Sequence, residues 1–195
     1  MVCLEGLAAQ KLTPADAAAQ LSGTWTLNRE LSQGFRTPGG RPGGPGRGGA
    51  LFSLAAPSFA PQRDSPTAAS DLSPADLAAQ AAMRQLQQLS DEITINATAD
   101  KIIFIDARGE RSYMTDGKNA KIMVAGAEVS TKSKWDKSAL KQEFSTASTT
   151  PSASMKLTQT WDLNSDGRLV LTAKLESLRL TTPEQKAVFD KKARN

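Results

Sequence analysis

From Glu92 onward the chain alternates apolar and polar residues in short runs closed by turn signals, and few folds accept such a pattern. In Glu128–Asp136, Val129, Thr131, Ser133 and Trp135 share one face, while Glu128, Ser130, Lys132, Lys134 and Asp136 share the other. A strand, with its side-chain period of two, sorts residues in this way. Met155–Asn164 and Arg168–Ser177 repeat the alternation, and Ala139–Thr146 sets Leu140 and Phe144 against Lys141 and Glu143. Gly23–Asn28, Glu92–Ala97, Lys101–Ala107, Arg111–Thr115, Lys121–Ala125 and Lys186–Lys192 are the remaining candidate strands. Ala99-Asp100, Asp116-Gly117, Gly126-Ala127 and Asn164–Gly167 supply hairpin-length connections. The pattern predicts an all-β chain, an up-and-down antiparallel β-barrel of about 8–10 strands with one or two short helices. Pairing the last strand with Gly23–Asn28 closes such a meander and removes its exposed edges. A Greek-key sandwich fits less well, because no long crossover follows Glu92.

Two helix starts interrupt the pattern. Thr13-Pro14-Ala15-Asp16 and Ser73-Pro74-Ala75-Asp76 each offer a hydroxyl cap, proline at the first helical position and an acid in the first turn. The second helix, over Pro74–Leu89, is expected to bury a stripe of Leu77, Ala81, Leu86 and Leu89. Between the starts, Arg36–Gly49 holds seven glycines, three prolines and three arginines, with more proline following to about Ser70. That composition cannot offset its ordering entropy, so 36–70 reads as a disordered insert. The expected order is an N-terminal segment (1–20), a first strand (21–35), the insert (36–70), a helix (71–91) and the rest of the barrel (92–195). The opening MVCLEGLAAQ reads either as the remnant of a secretory leader or as an ordinary frayed terminus.

Catalytic chemistry finds little to work with. Histidine is absent and Cys3 is the single cysteine, so Ser/His and Cys/His pairs, thiolate or imidazole metal sites and an internal disulfide are all excluded. Ser130–Ser133 (STKS) reads as an outward polar edge of a strand. Asp100, Asp116 and Asp166 stand beside turns, where their side chains have a local use, and Asn164–Arg168 reads as a hairpin turn. The net charge of +4 is spread among opposite signs, and Asp106, Arg108 and Arg111 read as part of a solvated sheet face. No metal or other cofactor is expected, and no run is long and apolar enough for a membrane helix.

The aromatic residues are more informative. Trp25, Trp135 and Trp161 lie in register with the apolar faces, and with Phe104, Tyr113, Met123, Phe144 and Met155 they are candidates to line a cavity. Thr131, Ser133 and Gln159 share those faces; Thr131 and Gln159 complete the candidate ligand-binding set. A small barrel either fills with such side chains or encloses one small apolar molecule, and alternation alone leaves both open.

Gly23-Thr24-Trp25 matches the G-x-W signature of the lipocalin first strand. More of the chain fits a wider arrangement: LSGTWTLNRELS, a Gly/Pro/Arg-rich insert, a helix, then TDGK, KSKWDKSALKQEF, LTQTWDLNSDGRLVLTAKLE and AVFDKK. In this it resembles a group of uncharacterised bacterial envelope proteins with lipocalin-like domains. The second and third lipocalin motifs and the disulfide cysteines are missing. The resemblance implies a lipocalin-like barrel that is exported, periplasmic or extracellular. The leading expectation is therefore a non-enzymatic, monomeric barrel holding a small apolar molecule. The alternative is a solid-core module that engages an envelope protein partner through 36–70 or the second helix. Nucleic-acid association through the Arg/Gly insert ranks below both, since no aromatics are interleaved with its arginines.

Overall fold

The computed structural model describes residues 13–33, 73–146, 154–177 and 183–193, so the expected insert at 36–70 and the segment before Thr13 lie outside the described residues. Two helices, α1 (Pro14–Leu21) and α2 (Pro74–Gln87), accompany ten strands. These are β1 (Gly23–Gln33), β2 (Glu92–Ala97), β3 (Lys101–Asp106), β4 (Gly109–Met114), β5 (Asp116–Val124), β6 (Ala127–Asp136), β7 (Ala139–Thr146), β8 (Met155–Leu163), β9 (Leu169–Ser177) and β10 (Gln185–Lys191).

All ten strands form one antiparallel sheet, in the order β4-β3-β2-β1-β10-β9-β8-β7-β6-β5. The closure expected from sequence is present: Trp25 of β1 lies opposite Ile93 of β2 on one side and Lys191 of β10 on the other. One part of that expectation is corrected. The edges are not abolished, because no ladder joins β4 to β5, although only Thr115 separates them in the chain. Asp116-Gly117 therefore does not close a hairpin. Gly117 has φ +74°, and the β5–β6 register shifts between Asp116 and Asn119, so this dipeptide forms a bulge where the wall opens.

The helices cap opposite ends. α1 packs on β2 at the end marked by the β2–β3 turn, while α2 packs on β6 and β8 at the other. Both begin with complete capping boxes, Thr13 with Asp16 and Ser73 with Asp76. The buried face of α2 differs from the expected stripe. Ala79, Ala82, Met83 and Leu86 point inward, whereas Leu77 is 53% exposed and Ala81 faces solvent. Positions 79, 82, 83 and 86 follow one continuous helical stripe, and Leu77 lies on the opposite side of the helix.

Gly23 and Trp25 do structural work at the α1 end. Gly23 has φ +143°, and a side chain there would meet the Lys191 aliphatic stem at 3.2 Å. Trp25 is fully buried, its Nε1 donates to the Leu21 carbonyl at 2.9 Å, and Lys191 Nζ lies 5.1 Å from its ring centroid.

Candidate ligand-binding site

The α2 end is built differently, and its chemistry comes from the β3–β4 hairpin. Alternation along β3 turns Ile102, Phe104 and then Asp106 inward, and along β4 it turns Arg111 and Tyr113 inward. Phe104 lies opposite Arg111 in the ladder. The Asp106 side chain is wholly shielded from solvent, while those of Arg108 and Arg111 keep 22% and 28% of their exposure. Its Oδ2 accepts from Nη2 of both arginines, at 2.6 Å from Arg111, and its Oδ1 accepts from the Arg108 backbone N–H at 2.8 Å. Burial alone would raise the Asp106 carboxyl. The Arg108 bonds and the charges of Arg111 and Arg108 outweigh it, holding the carboxyl below its ordinary value. Reading these three residues as a solvated face was wrong.

Arg108 also ties the hairpin to the lid. Its Nη1 donates to the carbonyls of Gln85 and Gln88, at 2.8 and 2.6 Å, at the C-terminus of α2, where a cation is favoured. Gln159 Nε2 donates to the next available carbonyl, Leu86, at 3.0 Å. The last turn of α2 is thus fastened to the barrel by polar bonds from two separate strands or turns.

Beneath the lid the barrel is filled. Phe104 and Trp161 rings lie 5.1 Å apart, Tyr113 meets Phe104 and Phe144 edge-on at 6.0 and 5.6 Å, and Trp161 meets Phe189 at 6.2 Å. A polar chain crosses the same interior: Trp161 Nε1 donates to Gln142 Oε1 at 3.1 Å, and Gln142 Nε2 donates to Ser133 Oγ at 3.1 Å. Ser133 therefore points inward, not onto an outward polar edge. The space left among these side chains is about 20 Å³, room for a water but not for an organic ligand.

A larger cavity, about 250 Å³, lies in the gap between β4 and β5. Arg111, Ser112 and Tyr113 form one wall, Ile122, Met123, Val124 and Ala125 the other, and Gln85 and Leu86 of α2 overhang it. Leu86, Arg108, Arg111 and Tyr113 also border the residual interior space, so the gap leads to the aromatic cluster. Burial raises the Tyr113 hydroxyl above its ordinary value, and the nearby Arg111 and Arg108 charges offset this only in part. A hollow of about 630 Å³ is bigger; it includes the exposed Arg29–Asp91 ion pair and is bordered by Ile105, Asp106 and Arg108.

The candidate residues divide into groups. Phe104, Tyr113, Phe144, Gln159 and Trp161 converge on the residual interior space. Met123, 69% exposed, instead stands on the gap wall opposite Tyr113. Trp25 plugs the α1 end, and Trp135 Nε1 donates to the Ala99 carbonyl at 3.0 Å. Met155 packs at the core margin, while Thr131 is buried with its hydroxyl unpaired. Asp106, Arg108 and Arg111 were missed as site residues. Counting two back from Tyr113 and two forward from Phe104 points to Arg111 and Asp106, a signal that interleaved surface charge concealed.

No family model matches the chain, and no curated protein does. Among solved structures it is similar to one described as REP1-NXSQ fatty acid transporter, at 14% identity over 91% of this chain and 100% of that one, with a TM-score of 0.48. It is also similar to a secretary abundant heat soluble protein from Ramazzottius varieornatus, at 16% identity over 52% of this chain and 70% of that one, with a TM-score of 0.40.

Proposed function

We propose that this barrel binds a small apolar molecule without transforming it, and that the molecule seats in the gap between β4 and β5 beneath α2. The carrying observation is the gap cavity itself, about 250 Å³, bordered on the β5 side by Ile122, Met123 and Val124 and on the β4 side by Tyr113. Sites of this kind pair a concave apolar wall with a few placed polar groups. Among the described residues no group of three metal-ligating side chains gathers, and binding is the chemistry that the lining residues support. Export to the bacterial envelope is part of the proposal, resting on the resemblance carried by LSGTWTLNRELS and the later segments. Fractionation of the native host tests that part.

Titration with N-phenylnaphthylamine, an uncharged fluorophore that brightens in apolar surroundings, tests the binding reading. Saturable one-to-one binding that weakens in Met123→Lys supports it, because Met123 is exposed and its replacement leaves the core intact. Absence of saturable binding, or unchanged binding in that variant, overturns it. The filled interior favours a second reading, a solid-core module for a protein partner, and a chain that takes no probe yet co-purifies stoichiometrically with one envelope protein fits that reading instead.

A further inference from the structure

We infer that Arg111 selects an anionic ligand, so that the molecule taken by the gap is a compact amphiphile with one carboxylate or sulfonate head. This rests on the small-molecule reading above and names the chemical class that the same site prefers.

Three observations converge on Arg111. Arg111 lines the cavity from β4 with its side chain 28% exposed and gives Nη2 to Asp106, while its Nε is shielded from solvent and has no hydrogen-bond partner. The charge count points the same way, because Arg108 and Arg111 share the single carboxylate of Asp106. Among the described residues, no Asp or Glu lines either the gap cavity or the residual interior space. One positive charge is therefore left over, beside an apolar wall and partly withdrawn from water.

The geometry suits a head with two or three equivalent oxygens. A guanidinium offers a rigid fork of donors that pairs well with carboxylate-like groups, better than with a lone hydroxyl. Arg108 is already committed to Asp106 and to the Gln85 and Gln88 carbonyls, whereas Arg111 keeps 28% of its side-chain exposure on the cavity wall and is the arginine placed to meet a ligand. The apolar body of the ligand then lies against Ile122, Met123 and Val124. About 250 Å³ falls just below the usual range for drug-sized ligands, so the body is compact, two or three small rings at most or a short chain.

Two probes that share a body and differ in charge test this. Anilinonaphthalene sulfonate carries the anion, and N-phenylnaphthylamine lacks it. Wild type is expected to bind the sulfonate about tenfold more tightly, a typical value for one charge-assisted contact. Arg111→Gln should erase that preference and leave the uncharged probe nearly unchanged. Asp106→Asn moves the charge balance the other way, and it should tighten the sulfonate while sparing the uncharged probe. It reads the same claim if Arg111→Gln does not fold. Equal binding of both probes by wild type, or a parallel loss of both in Arg111→Gln, overturns the anion inference and leaves the small-molecule reading standing. Binding of neither probe overturns both.

Discussion

The two ends of the barrel start from nearly the same sequence and finish in different chemistry. PADAAAQ in α1 and PADLAAQ in α2 share proline, acid and capping box, so the helices begin alike. They diverge where they stop. At the α1 end, the Leu21 carbonyl takes Trp25 Nε1, Ser22 Oγ donates to the Ala18 carbonyl, and the same oxygen accepts from the Ala97 N–H. Bonds between neutral groups over a buried tryptophan make a plug. At the α2 end, the carbonyls are held by Arg108 and Gln159, and Arg108 belongs to a buried ion cluster beside a cavity. Helix capping sets where each lid begins; the side chains beneath its last turn decide whether it seals the barrel or borders a site.

Breaking the plug should cost most. Trp25→Ala removes a fully buried indole and is expected to destabilise the protein by about 3–5 kcal/mol, measured by denaturant unfolding. At the other end, Asp106→Asn leaves two guanidiniums without their counter-ion. Wholly buried pairs lose about 3–5 kcal/mol when one partner goes, and the partial exposure of both arginines brings the expected loss to about 2–3 kcal/mol. The pH dependence fixes the sign. The Asp106 carboxyl is held below its unfolded value, so its stabilisation is present above about pH 4 and fades as pH falls through the folded value. The stability gap between wild type and Asp106→Asn should therefore narrow in acid; a gap that widens would contradict the ion cluster.

Smaller effects sharpen the contrast. Arg108→Gln should cost about 1–2 kcal/mol through its lost bonds to α2. Hydrogen exchange should speed up in the last turn of α2 and stay unchanged in α1. Thr13→Ala and Ser73→Ala should each cost about 1 kcal/mol, since both capping boxes make the same bonds, although Asp76 is buried and Asp16 exposed. Unequal costs, read by thermal unfolding, would show that the two lids differ at their starts as well as at their ends.

Alternation made most of the barrel legible before any coordinates. Glu92–Ala97 and Ala139–Thr146 match strands to the residue, and the β1–β10 closure follows from the meander. What escaped was where pattern and physics part. Asp116-Gly117 is composed like a hairpin turn, yet a positive-φ glycine serves a bulge equally well, so the open wall was hidden. Leu77 is apolar but lies off the helical stripe, and its residue type outweighed its angle. Asp106 and Arg111 looked solvated because charges usually are. Their inward positions follow only from phasing them with Phe104 and Tyr113, and their burial rests on mutual neutralisation that no strand pattern displays.

An amide NMR titration of the full chain with N-phenylnaphthylamine tests the site most directly. If the gap takes the ligand, shifts will cluster at Arg111–Tyr113, at Ile122–Ala125 and in the last turn of α2, while Gly23–Trp25 stays still. Shifts centred on the α1 end or on the outer face of the sheet, or no saturable shifts, would contradict a binding site between β4 and β5.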